Sequence, residues 1–224
     1  MYHSMVRLIL ASASPRRAEL LRAAGYAFEI VPADIDESAG SGEPPEHYVR
    51  RVAAEKARAV LRQCPDCVVL AADTTVVVDG AMLGKPSDDE DARQMLARLS
   101  GRAHRVLTGV VIAGEGREAG AVASTLVRFA VLTAADIDWY VASGEPCDKA
   151  GAYGVQGLAS RFVTGIEGSY SNVVGLPVAL VHTLLAEQGF TVAAEGPPDD
   201  RGDGSEPIDR AWQQGYPEKE PVKR

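Results

Sequence analysis

The sequence predicts an α/β fold, a mixed sheet with flanking helices that forms two lobes around a cleft, and three observations carry that prediction. Residues 68–78, VVLAADTTVVV, are a nearly continuous apolar, β-branched run of the kind that lies in the centre of a sheet. Two further long runs, HRVLTGVVIA from His104 and GAVASTLVRFAVL from Gly120, are rich in β-branched residues and flank a Gly/Glu-rich turn, so they are expected to pair antiparallel. Between the strands, apolar residues recur at helical spacing; Val49, Val52, Ala53, Val60 and Leu61 do so within a helix expected from about Glu46 to Gln63.

Taken in order, RLILAS (7–12) is a short buried strand. Ser14 is a good N-cap and Pro15 suits the first helical position, so a helix is expected from Pro15 to about Ala24, with Leu20 and Leu21 facing the core and Gly25 stopping it. YAFEIVPADIDE (26–37) reads as a strand running into an acidic loop, and SAGSGEPPEH (38–47) as a connection. The long basic helix follows, then the central strand, which ends at a tight hairpin turn, Asp79-Gly80. DDEDARQMLARLS (88–100) is a helix with acids at its positive end, closed by Gly101. Beyond the two long strands, Thr133 caps a helix reaching Ser143, and Leu176 to Gln188 forms the last helix. Residues 1–194 thus read as one domain. Residues 195–224 are rich in Pro, Gly and charge with no apolar period, and are expected to be a disordered tail.

Composition narrows the function. The 224 residues are 46% hydrophobic, enough for a sizeable core, and carry a net charge of −8. That charge argues against a general nucleic-acid surface but leaves room for a local basic pocket. No run of 18 apolar residues and no signal-peptide pattern occurs, so a cytoplasmic protein without a membrane partner is expected. Cys64 and Cys67 form a lone CPDC. A thioredoxin-type pair would follow a strand and start a helix, whereas this one follows a helix, and neither Cys147 nor any of the four histidines is spaced to complete a zinc site. Loop cysteines are the expectation.

Chemistry concentrates at four places. In ASASPRRAELL (11–21), Arg16 and Arg17 fall in the first turn of a helix, where the dipole repels cations unless an anion sits among them. Asp73 interrupts the central strand, where a carboxylate must be paired, bound to a metal or placed at a cleft; the bland alternative is a strand-end acid bonded to amides. Asp36 and Glu37 could hold a hard divalent cation or lie in a solvated turn. Lys85, fixed between Gly84 and Pro86, and Lys56, on the basic helix, could each meet phosphate or be solvated surface cations. No GxxxxGK[ST], GxGxxG or GxSxG loop is present.

Four ordered motifs, LILASASPRRAELL, AADTTVVVDGAMLGKP, LSGRAHRVLTGV and DKAGAYGVQG, closely resemble the Maf family, nucleoside triphosphate pyrophosphatases once named for inhibition of septum formation. The resemblance covers roughly residues 7–190. It implies a fold like that of inosine triphosphate pyrophosphatases, with a nucleotide in a deep cleft between two lobes, and it makes the anion at Arg16 a nucleoside triphosphate. The family's SxSPRR maps onto Ser12, Ser14, Pro15, Arg16 and Arg17; its acid after the second strand falls on Glu37, its helix lysine on Lys56, its catalytic aspartate on Asp73 and its loop lysine on Lys85. DKAGAYGVQG resembles the dTTP/UTP-cleaving branch rather than the 7-methyl-GTP branch, with Arg16, Thr74 and Gln156 implied in base selection. A glutamine amide offers a donor and an acceptor to a uracil or thymine edge, while Tyr153 could stack on a base or simply pack. The implied reaction is attack of water between the α and β phosphorus atoms, assisted by a divalent cation, magnesium or manganese. Asp73 would act as base and metal ligand, Glu37 as metal ligand with Asp36 as a substitute, and the lysines and arginines would neutralise the pyrophosphate. A nucleotide-binding regulator of cell division with little turnover is the alternative. A nucleoside triphosphate is the expected partner, and a homodimer is left open.

Overall fold

In the computed structural model, which describes residues 6–193, seven strands form one mixed sheet: β1 (Leu8–Leu10), β2 (Glu29–Ile30), β3 (Val68–Val78), β4 (Ala81–Leu83), β5 (Ala103–Gly114), β6 (Arg117–Phe129) and β7 (Val163–Glu167). Their order is β2-β1-β3-β5-β6-β7, with β4 on β3. The pairs β1–β2 and β1–β3 are parallel and the others antiparallel. The expected tail, 195–224, lies outside the described residues.

The sheet is interrupted at one place. β5 pairs with β3 from Val69 to Val77. On the opposite edge β1 pairs only with Val68–Leu70 and β4 only with Val76–Val78. Residues 71–75 therefore meet no strand on that edge. Their backbone groups need other partners, and their side chains open onto whatever lies beside them.

Helices α1 (Pro15–Ala23), α2 (Pro45–Leu61), α3 (Asp89–Leu99), α4 (Ala134–Val141), α5 (Tyr170–Val174) and α6 (Val178–Glu187) cover the sheet. Alternation along β3 sends Val68, Leu70 and Ala72 to a core shared with Leu21 of α1 and Val181 of α6. Val76 and Val78, on the same face, join a second core with Leu96 of α3 and Tyr140 of α4. Between these two apolar clusters the layer turns polar, because Thr74 and its register partner Thr108 stand there. That polar seam separates the two lobes. On the other face, Ala53, Ala57 and Val60 of α2 pack on Val69, Ala71 and Val111.

Local chemistry accounts for the boundaries. Asp88 caps α3 by accepting from the Asp91 N–H, and Thr133 with Asp136 forms a capping box on α4. Asp79 and Gly80 both take positive φ, as a tight β3–β4 turn requires. Some expectations are revised. The strand expected in 26–37 shrinks to Glu29–Ile30, because it pairs only with the end of the three-residue β1 and has no further partner. The last helix begins at Val178 rather than Leu176, after Pro177. Not anticipated were α5, β7 and the segment between α4 and β7, which holds three 3-10 turns, Glu145–Asp148, Ala150–Ala152 and Leu158–Phe162. Cys64 and Cys67 do lie in the turn after α2, but bonded to each other as a disulfide, with Arg7 Nη1 at 3.6 and 3.7 Å from the two sulfurs; Cys147 is free and exposed.

One glycine sets the height of α2 over the sheet. Gly109 of β5 is the register partner of Asp73, and a Cβ there would overlap the backbone of α2 at Val49 and Arg50. Gly109→Ala must push α2 outward, which is expected to cost about 1–3 kcal/mol. The measurable result is a melting temperature lower by about 3–10 °C, together with reduced turnover, because α2 carries Lys56. A melting curve that overlays the wild type would contradict the close approach.

Candidate active site

The open edge of β3 faces a cavity of about 550 Å³, within the range of small-molecule sites. Ser12, Arg16 and Arg17 enter it from the turn into α1, and Glu37 and Lys56 from the loop before α2 and from α2 itself. Asp73 and Thr74 enter from β3, Lys85 from the loop after β4, and Gln156 from the segment between α4 and β7. Apart from Asp36, the substitute metal ligand, every site residue expected from the sequence thus lines one cleft.

Asp73 is its buried centre, 5% exposed at a position where the strand has no neighbour. Lys56 is 6% exposed, and its Nζ lies 2.8 Å from Asp73 Oδ1 and 2.9 Å from Glu37 Oε2, wedged between two carboxylates. Burial raises the Asp73 pKa above the usual carboxylate range, against the opposing pull of the Lys56 and Arg17 charges. The alternative of Lys56 as a solvated surface cation does not hold. The lysine points under α2 toward the sheet, and Glu55 bonds Arg51. Arg51 also grips both oxygens of Glu43 and the Ser38 carbonyl, and holds the Glu43 carboxyl down at about 2. The Tyr48 hydroxyl donates to the Glu37 carbonyl at 3.0 Å. The loop that presents Glu37 is therefore tied to α2. Asp36 accepts from the Ser38 N–H and does not line the cavity, so it belongs to an exposed turn.

The two arginines of SPRR divide their work. Arg17 spends its donors on the protein, from Nε to the Gly175 carbonyl (2.9 Å), from Nη1 to the Ala72 carbonyl (2.7 Å) and Ser12 Oγ (3.2 Å), and from Nη2 to Thr74 Oγ1 (3.1 Å). It supplies the open strand edge with the donor that a missing strand would have supplied. The Thr74 hydroxyl is likewise engaged, with Arg17 and with Thr108 Oγ1 at 3.0 Å. Arg16 is different. Its one ionic partner is the exposed Asp148, at 3.1 Å; pairs of that kind are worth little and exchange readily. Lys85 is exposed, with no hydrogen-bond or ionic partner among the described residues. Arg16 and Lys85 are the cations free to meet an anionic ligand.

Tyr153 packs rather than stacks. It is buried, edge-on to Phe129 and His104, with its hydroxyl 2.7 Å from His104 Nε2. Ser14 caps α1 by backbone position only, and its N–H donates to Ser12 Oγ. Sequence reasoning passed over Thr108, Gly175, Asp148 and Glu145. The signal for Asp148 was present in DKAGAYGVQG, whereas Thr108 and Gly175 are marked only by distant partners.

Among the described residues no three His, Cys, Asp or Glu side chains gather as a metal cage. Lys56 takes only one oxygen each from Asp73 and Glu37. Two carboxylates with free oxygens beside an anion-binding cleft suit a hard divalent cation that takes its remaining ligands from phosphate and water.

Fold and site together define a class: an α/β protein whose interlobe cleft holds two carboxylates around Lys56 and also presents Arg16, in an exposed pair with Asp148, and Lys85. The chain belongs to the Maf family, whose model, Maf-like protein, matches residues 7–188. It is 57% identical over 196 residues to a dTTP/UTP pyrophosphatase of Anaeromyxobacter sp. (strain Fw109-5), covering 85% of this chain and 94% of the relative. A dTTP/UTP pyrophosphatase of Shewanella oneidensis is 54% identical over 193 residues, 83% of this chain and 100% of the relative. Among solved structures, the Staphylococcus aureus Ham1 protein aligns over 81% of this chain and 99% of its own, with 12% identity and a TM-score of 0.47.

Behind the cleft wall, burial lowers the His104 pKa from 6.5 to about 4, so the folded protein holds this imidazole neutral. The unfolded chain takes up a proton at 6.5 that the folded chain refuses until about 4, so stability is lost as pH falls through that window. The slope of melting temperature against pH between 6.5 and 4 is expected to be shallower in His104→Gln. Parallel curves for the two proteins would show that His104 is not held neutral.

Proposed function

We propose that the protein is a nucleoside triphosphate pyrophosphatase that hydrolyses dTTP and UTP to the nucleoside monophosphate and pyrophosphate. The observation that carries the mechanism is the placement of Asp73, a buried carboxylate with a raised pKa at the open edge of β3, facing a cleft that also holds Arg16 and Lys85. The similarity to dTTP/UTP pyrophosphatases, over 85% and 83% of this chain, supports the substrate. A cytoplasmic place fits a substrate drawn from the nucleotide pool; no described helix is long and apolar enough to cross a membrane.

Asp73 accepts the proton of the water that attacks between the α and β phosphorus atoms. The water oxygen bonds to phosphorus, the bridging bond breaks, and pyrophosphate leaves with the electron pair. The raised pKa of Asp73 makes it a stronger base than an exposed carboxylate, while the charges of Lys56 and Arg17 oppose that rise and favour its ionised form. Arg16 and Lys85 take the charge of the β and γ phosphates, Arg16 exchanging its contact with Asp148. Arg17 and Thr74 act from behind by holding the strand edge and the turn at Gly175 in register. Gln156 faces the base edge. Glu37 and Asp73 would hold magnesium or manganese, which supplies charge neutralisation and polarises a phosphoryl oxygen when bound.

Purified protein given a panel of nucleoside triphosphates with magnesium is expected to release pyrophosphate from dTTP and UTP in preference to the others, and orthophosphate as the primary product would overturn the reaction. In Asp73→Asn, kcat is expected to fall by about 100- to 10,000-fold with nucleotide affinity retained, because the amide accepts no proton while the cations remain. A folded variant keeping more than about a tenth of the activity would remove Asp73 from the role of base.

A further inference from the structure

Gln156 sits in a stretch with little regular structure of its own, yet its position is defined by two side chains from outside the turn. Glu145 Oε2 accepts the Leu158 N–H at 2.8 Å, two residues after Gln156. Glu145 Oε1 accepts the hydroxyl of Tyr140 at 2.9 Å, and that hydroxyl accepts the Gly154 N–H at 3.2 Å, two residues before it. Gln156 is the apex of a turn closed by the Gly157 N–H on the Gly154 carbonyl at 3.1 Å, and both ends of the turn are tied to the same Tyr140–Glu145 pair.

Packing repeats the message. A Cβ at Gly157 would overlap the Glu145 carboxylate, and one at Gly154 would overlap the Lys149 stem, whose Nζ donates to the Glu145 carbonyl at 2.7 Å. Tyr140 is fully buried at the end of α4 and so provides a fixed anchor. Among the described residues the Glu145 carboxylate has no cation within ion-pair distance. Its acceptor capacity goes to the turn. A half-buried carboxylate spent on neutral donors is costly unless the geometry it fixes is useful.

We infer that Glu145, braced by Tyr140, is a positioning residue that sets where the Gln156 amide stands in the cleft and thereby sets the preference for uracil and thymine over other bases. The inference rests on the proposed base-reading role of Gln156. Recognition by one amide tolerates an error of only about 0.5 Å, and a turn without its template would not hold that.

The experiment measures kcat, KM and melting temperature on the full chain with UTP, dTTP and CTP. CTP keeps the ring size but replaces the N3–H donor by an acceptor. Glu145→Ala and Tyr140→Phe are expected to raise KM for UTP and dTTP and to lower the UTP:CTP ratio of kcat/KM by about tenfold, the scale of one well-placed hydrogen bond, with kcat for UTP within about threefold. Glu145→Gln, which keeps one acceptor and the shape, should recover most of the ratio. In a Gln156→Ala background, Glu145→Ala should lower the ratio no further, since the residue it positions is gone. If Glu145→Ala fails to fold, Glu145→Gln and Tyr140→Phe carry the comparison. A ratio lost in Gln156→Ala but unchanged in Tyr140→Phe and in every folded Glu145 variant overturns this inference and leaves the base-reading role standing. A ratio unchanged in Gln156→Ala overturns that role, and the inference with it.

Discussion

The site depends on a carboxylate kept in the interior of a sheet. Asp73 occupies the middle of β3, an otherwise largely apolar and buried strand, where a lone charge would be strongly destabilising. It is tolerated because β1 ends at Leu10 and β4 begins only at Ala81, leaving that stretch of edge open, and because Lys56 reaches it from α2 at 2.8 Å. Removing the open edge would bury the carboxylate without access to water or substrate. Removing the lysine would leave the charge unmatched. Gly109, on the neighbouring strand, is the condition for the lysine, since it lets α2 lie low enough for Lys56 to arrive.

An open edge creates a second requirement, that the backbone it exposes be satisfied. Arg17 meets it by donating to the Ala72 carbonyl and, with its other nitrogens, to Gly175, Ser12 and Thr74. These contacts join the first turn of α1, the central strand and the turn after α5. They explain why two adjacent arginines at the positive end of a helix are tolerable: one is neutralised by fixed carbonyl dipoles, and only the other needs an external anion. The polar seam of Thr74 and Thr108 continues this arrangement across the sheet, so the two apolar cores remain separate and the cleft between them does not collapse.

Much of this was legible in the sequence wherever the information was local. The run 68–78 became β3 with the same limits, the apolar period after Glu46 became α2, and Asp79-Gly80 and Thr133 made the turn and the cap their side chains favour. Most of the expected site residues were legible in the motifs, Glu37 and Lys56 only through the resemblance those motifs carry, and all of these line one cleft. The segment between α4 and β7 was not legible, because a glycine-rich chain of 3-10 turns has no period and takes its shape from Tyr140 and Glu145. The two-residue length of β2 was hidden for a related reason, since it depends on the reach of β1, whereas the Cys64–Cys67 bond is local and a lone CPDC fits free loop thiols as well as a bonded pair.

By itself, then, the sequence determined most of the strands and helices, their approximate limits, and which residue types are at hand for chemistry, because side-chain period, capping and turn propensity act over a few positions. Only the tertiary structure decided how each residue is used. Arg16 and Arg17 are chemically identical neighbours, but one faces the cleft and the other is consumed by a carbonyl 158 residues away. Lys56 resembles the other basic residues of its helix until the sheet places two carboxylates around it. Charge and hydrogen-bonding capacity are local properties, whereas burial and the identity of the partner are set by what the fold brings alongside, and these decide whether a cation is scaffold or ligand site.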